Sequence, residues 1–432
     1  MRSAAARIRT FQLGARAAEA AEVAVVAAED RQTQTCDEVQ RIPARSPQSR
    51  LTAIVSGMIS AVPSQGGATW AVLQYILGLE DLGHRVVFID PVGPANLKPE
   101  GADLKSSENA RYFLRVMRDY GLSGKSALLL SGTRQTVGLT YKELVQTASQ
   151  ADLLLNLSGV LGDRDLIEPV PLRVYLDLDP GFTQLWRAAQ DIDMRFDGHN
   201  RFVTVGWSLG DGSCTLPSCG VTWVPTLQPV VLRHWRPGER IQVDGFTTVG
   251  NWRSYGSVDF RGVFYGQKAH AWRSFISLPS LSRRPFFPAL AIHPDEKEDL
   301  QALASNGWRL LDPRLLTSTP ELYRQFIRGS KSEFAVAKSG YVLSRCGWFS
   351  ERSACYLAAG RPVLAQDTGF SRYLPTGKGL LSFATLEEAV EGVARIERDY
   401  ALHRRAARRL AEECFDSRKV LGRLLAKTGV HP

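Results

Sequence analysis

The most constraining feature of this sequence is a strand–turn–helix–strand unit that begins at residue 51. LTAIVSGMIS (51–60) is a short apolar run with β-branched residues, the pattern of a buried strand. AVPSQGGATW (61–70) is a turn rich in small residues. From Ala68 to Leu82, the residues Val72, Tyr75, Ile76, Leu79 and Leu82 share one helical face. Gly83 ends that helix as a C-cap residue, and VVFID (86–90) is the next strand. Two strands joined through a helix lie parallel with a right-handed crossover. The unit therefore commits the chain to an α/β architecture.

The alternation continues. Helices are predicted over 108–120 and 140–150, and strands over 151–159 and 172–181. Between 196 and 240, Gly, Pro and Trp accumulate, which reads as a connection. A second series follows, with strands at 246–252, 287–294, 309–313, 332–338 and 361–366. Helices are predicted at 295–308, at 319–330 and from Ser350 to Ala359, and the remainder is largely helical. The prediction is an α/β fold of two Rossmann-like domains facing across a cleft. Residues 1–50 form an N-terminal extension, helical or disordered. Residues 51–240 form the first domain and 241–400 the second. Residues 401–432 form a basic C-terminal helix that crosses back to the first domain.

The length of 432 residues, with 44% hydrophobic and 22% charged, excludes a disordered chain or a small disulfide scaffold. Of the net charge of +9, residues 395–432 hold ten Lys/Arg against five Asp/Glu. Basicity gathered at one end does not make a continuous groove, so nucleic acid is not an expected partner. A peripheral contact with anionic lipid or an acidic partner remains open. The six cysteines have no framework spacing and read as reduced thiols, which favours a cytoplasmic location. No apolar run approaches 18 residues.

Ligands of open α/β sheets bind at the carboxyl ends of strands. That rule selects five segments. Gly66 and Gly67 admit close approach of a ligand to the backbone at a helix start. Asp177-Leu178-Asp179-Pro180-Gly181 ends a strand, with Gln184 beyond. Asp179 is a candidate general base, and His199 is a second catalytic candidate. Gly250, Asn251 and Arg253 follow the first strand of the second domain, where Arg253 can pair with a phosphate. Lys338, Arg345 and Arg352 surround a helix start capped by Ser350, a ready site for a diphosphate. Asp367-Thr368-Gly369 is a further turn at a strand end. Trp348 and Phe349 either stack on a base or sugar or pack in the core. The Asp177-Leu178-Asp179 triplet runs directly into Pro180 in the first domain, so no metal site is expected.

The stretch Tyr356-Leu357-Ala358-Ala359-Gly360-Arg361-Pro362-Val363 resembles the helix ending of group 1-like glycosyltransferases of the GT-B fold. Asp367-Thr368-Gly369-Phe370 corresponds to the loop that follows in that family. The Gly66-Gly67 loop and Leu79-Glu80-Asp81-Leu82-Gly83-His84-Arg85-Val86 look like its first Rossmann unit. The resemblance implies transfer of a sugar from a nucleotide-sugar, used as co-substrate without a further cofactor. Its acceptor is a small molecule, glycan or lipid. The strand-end segments of the second domain place donor binding at Gly250, Asn251, Arg253, Lys338, Ser350, Glu351, Arg352, Asp367, Thr368 and Gly369. The strand-end segments of the first domain place the acceptor at Gly66, Gly67, Gly181 and Gln184. The family's two spaced glutamates fall on Gly347 and Cys355 here, and the nearest carboxylate is Glu351. A nucleotide-sugar epimerase of the same fold and a non-catalytic nucleotide-binding relative are the alternatives.

Overall fold

The computed structural model describes residues 50–211 and 213–429; the predicted extension before residue 50 lies outside the described residues. Eight strands form the first sheet. They are β1 (Thr52–Ser56), β2 (Arg85–Val92), β3 (Ser126–Leu130), β4 (Thr136–Gly138), β5 (Leu153–Leu157), β6 (Leu172–Asp177), β7 (Arg201–Thr204) and β8 (Trp223–Pro225). Their order is β4-β3-β2-β1-β5-β6-β7-β8, and all pair in parallel except β4, which is antiparallel to β3.

After the first sheet come β9 (Val243–Asn251) and an antiparallel hairpin of β10 (Val258–Phe260) and β11 (Val263–Tyr265). Then follow β12 (Phe286–Ala291), β13 (Ser330–Ala335), β14 (Val363–Gln366) and β15 (Leu380–Phe383). Excluding the hairpin, these strands make a fully parallel sheet in the order β12-β9-β13-β14-β15. Both sheets thus have the Rossmann-like layering.

One apolar cluster is shared by the two sheets. The helix Gly66–Asp81 is buried along most of its length, because it lies between the lobes rather than on the surface. A single apolar cluster runs from Ala53 and Leu153 through Trp70 and Ile76 to Tyr356 and Leu380. The C-terminal helix Ser417–Thr428 packs on the same inter-lobe helix. A Cβ at Gly78 would come within 2.6 Å of Leu421 there, so only glycine permits the contact. The basic residues near the C-terminus act as clips on backbone carbonyls. Arg408 donates to the carbonyls of Trp235 and Ala358 at 2.8 and 2.7 Å, and Lys427 donates to that of Pro225 at 3.2 Å. Arg361 is fully buried without a carboxylate partner, and it donates to the carbonyls of Arg328, Gly238 and Arg240.

Several local expectations are corrected. The stretch 196–240 contains β7 and β8, whose runs of three and four residues are too short to show a period. Residues 309–313 make one bridge, at Leu311, beside another at Trp308, and no strand. The five- and four-residue runs of β3 and β15 are not predicted, because SALLL and LLSF carry no alternation to separate a strand from helix.

Candidate functional site

In the second sheet the chain leaves β9 toward β12 and returns to β13 on the other side. The crevice between β9 and β13 is therefore its topological switch point, where open α/β sheets bind ligands. Gly250 and Asn251 end β9, and Val336 to Lys338 continue from β13. Lys268 opens the short helix Lys268–Trp272 and reaches across this crevice. Its Nζ donates to the Val336 carbonyl at 2.7 Å, and a Cβ on Gly250 would lie 3.4 Å from its Cε. That carbonyl is its one hydrogen-bond partner among the described residues. Burial first, and then the Arg352 charge, push its pKa down to about 7, against opposing pulls from Glu333 and Glu351. Sequence reasoning missed Lys268. Its sole signal was the Gly266-Gln267 turn before it, which looks like any surface turn.

Glu351 starts the helix Glu351–Ala358 and is half-buried. No hydrogen bond holds its carboxylate among the described residues, yet its charge acts on Lys268, Lys338 and the hydroxyls of Tyr75, Tyr323 and Tyr341. Those groups come from both lobes, so Glu351 lies near the seam between them.

The diphosphate site predicted at this helix start is corrected. Ser350 is the N-cap, but its Oγ takes the Arg352 N–H at 3.2 Å and the residue is buried. Arg352 is no free cation: its Nε lies 2.5 Å from Glu333 Oε1 and its Nη1 donates to the Val249 carbonyl at 3.0 Å. Glu333 is fully buried, and an uncompensated carboxylate there would be costly. Arg352 is spent on that charge, and Glu333 raises the arginine's pKa against the cost of burial. The hollow lined by Ser350, Arg352, Thr368 and the β13 end at Val336 and Ala337 measures about 10 Å³, too small for a diphosphate as the lobes stand. Phe349 packs between Phe370 and Phe415, and Trp348 stacks on Tyr341 with ring centroids 4.3 Å apart.

The Asp367 turn is likewise closed on itself. Asp367 accepts from the backbone of Gly369 at 3.0 Å and of Ser371 at 3.3 Å, and Arg345 lies 3.6 Å from its Oδ2. Thr368 donates to the Trp348 carbonyl, and a Cβ on Gly369 would strike the Arg345 carbonyl at 2.9 Å. Arg253 is held by Glu296, with Nη2 to Oε2 at 3.2 Å.

In the first lobe, Gly66 and Gly67 admit close approach, but of the second lobe. Gly66 N donates to the Thr317 carbonyl at 2.9 Å, and a Cβ on Gly67 would meet the Tyr323 ring at 2.9 Å. Trp70 extends the contact by donating to the Pro320 carbonyl at 2.8 Å. Gly181 and Gln184 are also structural. The Gly181 N–H goes to Gln184 Oε1 at 2.6 Å, while Gln184 Nε2 and the hydroxyls of Thr183 and Thr204 donate to buried Asp177. Burial holds the Asp177 pKa at about 6 despite these donors.

Asp179 does reach the gap between lobes. Its carboxylate accepts from the hydroxyls of Tyr255 and Tyr341 and lies 3.5 Å from Lys338 Nζ. His199 does not join it. His199 sits ahead of β7, one residue before Asn200, whose N–H pairs with the Arg173 carbonyl at the opposite end of β6. Its Nδ1–H faces the Phe196 carbonyl at 3.3 Å, its Nε2 faces the Asn156 amide at 3.1 Å, and burial lowers its pKa. It is a neutral packing histidine against Tyr175.

No family description and no curated protein matches this sequence. Solved structures do. The α-glucosyltransferase in complex with UDP-glucose and DNA containing an abasic site aligns with a TM-score of 0.56 at 12% identity, over 88% of this chain and 100% of that one. Anabaena HepE in complex with UDP and glucose gives 0.54 at 11%, over 88% and 99%. A glycosyltransferase from Rickettsia africae gives 0.52 at 10%, over 88% and 98%. The chain has the GT-B fold. The exclusion of nucleic acid is corrected by the same finding. A GT-B protein of matching length is seen with DNA, so the lack of a continuous basic groove in the sequence does not exclude that class. Several of the terminal arginines, moreover, are engaged with carbonyls of this chain, and their number says little about partners.

Proposed function

We propose that this protein transfers a sugar from a nucleotide-sugar to a hydroxyl-bearing acceptor, with the donor diphosphate at the crevice between β9 and β13. The observation that carries this reading is Lys268. It is an ammonium at the switch point of a parallel sheet with one carbonyl partner and, among the described residues, no carboxylate in hydrogen-bond contact. A desolvated cation of this kind gains most from an anionic ligand. Fixed cations at a departing diphosphate stabilise charge that develops in the transition state. Lys268 and Lys338 would supply it, and Glu351 would hold sugar hydroxyls beside them. The GT-B fold supports this arrangement, since its solved examples here carry UDP-glucose, or UDP with glucose. Free thiols at Cys214, Cys219, Cys346, Cys355 and Cys414 suit a cytoplasmic enzyme.

A second reading has its own observation. Arg352 and the Ser350 helix start are committed internally, which fits a nucleotide-binding relative without turnover. A thermal-shift screen of nucleoside diphosphates and their sugars identifies the donor. Transfer assays follow, with glycans, lipids and duplex DNA as acceptors. Transfer confirms the first reading, and binding without transfer or hydrolysis selects the second. A melting temperature unmoved by every nucleotide rejects both.

A further inference from the structure

Every polar side-chain partner of the Asp179 carboxylate belongs to the opposite lobe. Tyr255, Lys338 and Tyr341 lie in the second lobe, whereas Asp179 follows β6 in the first. The carboxylate is aimed there by a rigid base, because Asp179 N–H donates to buried Asp177 at 3.0 Å. On the other side, the Lys338 ammonium sits in a box of aromatic rings. Its Nζ is 3.4 Å from the Tyr255 ring centroid, 4.9 Å from Phe182 and 5.2 Å from Tyr341. Asp179 is its one ion-pair partner among the described residues. Burial lowers the Lys338 pKa and raises that of Asp179, so each charge depends on the other. Lys338 lies three residues past the end of β13, beside the crevice.

Resting on the donor reading above, we propose that Asp179 is an autoinhibitory latch. Its carboxylate occupies the anion position on Lys338, and the donor diphosphate must displace it to bind. The exchange is one anion for another on a buried ammonium, so the box is never left unpaired. The resting lobes stay closed over the crevice until a diphosphate competes.

The test uses the full chain, with Asp179→Asn and Tyr255→Phe beside the wild type. Tyr255→Phe keeps the aromatic box and removes one hydrogen bond to Asp179. UDP, GDP and ADP are titrated separately by calorimetry. Asp179→Asn is expected to bind at least one of them about tenfold more tightly than wild type, within the usual range of coupling between two states. Tyr255→Phe is expected to shift affinity in the same direction by less. Hydrogen exchange is followed in parallel over residues 182–190 and 339–348, where both variants are expected to exchange faster. If the wild type binds a diphosphate and Asp179→Asn binds it no more tightly, the latch is overturned. If no protein binds any diphosphate, the donor reading falls. The latch falls with it, since no diphosphate then displaces Asp179. Should Asp179→Asn fail to fold, Tyr255→Phe carries both measurements.

Discussion

Lys268 and Arg352 are neighbouring cations at the same end of the second sheet, and they have opposite circumstances. Arg352 is paired with fully buried Glu333 and bonded to a backbone carbonyl. Lys268 has a carbonyl and, among the described residues, no carboxylate in hydrogen-bond contact. The first is part of the core, and the second is a charge with unmet demand. A cation's place at a strand end therefore does not make it a ligand group. What matters is whether the fold has already given it an anion.

The largest effect should come from breaking the satisfied pair. Arg352→Met leaves Glu333 charged and alone in the core, and should cost about 3–5 kcal/mol in urea unfolding. A loss below about 1 kcal/mol would place Arg352 outside the core and erase the contrast. Next in size, Lys268→Met should weaken nucleoside diphosphate binding by about a hundredfold, as for truncation of one partner of a buried charge pair. Unchanged affinity in a calorimetric titration would make Lys268 structural as well.

The same variant sharpens the comparison through pH. The Lys268 pKa falls from 10.5 to about 7 in the folded chain. Its charge therefore opposes folding in full below about pH 7, and that cost fades as pH rises toward about 10. Lys268→Met should raise the melting temperature most near pH 6, with the gap closing at alkaline pH. A gap that widens with pH would mean the ammonium is stabilised, as Arg352 is. The smallest effect belongs to a residue remote from both. His199→Ala should leave sugar transfer unchanged and cost about 1 kcal/mol, the worth of its bond to Asn156.

These contrasts mark what the sequence makes legible. The layered fold follows from the β1-to-β2 unit, because buried strands and a glycine-ended helix are local signals. The position of the crevice follows too, since Gly250, Asn251 and Lys338 flank it. What sequence reasoning cannot supply is partnership. Arg352 reads as a free cation until Glu333, 19 residues earlier, is brought under it. Gly66 and Gly67 read as a ligand loop until Thr317 and Tyr323 arrive from the other lobe. Gln184 reads as a cleft residue until it turns inward to Asp177. Lys268 carries only the Gly266-Gln267 turn as a local mark, and its isolation is a property of the packed crevice.

The most direct measurement is a calorimetric titration of nucleoside diphosphates into the wild-type chain at pH 8, repeated in two buffers of different ionisation enthalpy. With its pKa near 7, Lys268 is mostly neutral at that pH and must be charged to meet a diphosphate. The account predicts binding with uptake of about one proton, and loss of that uptake in Lys268→Met. Binding without proton uptake, or uptake that persists in the variant, would contradict it.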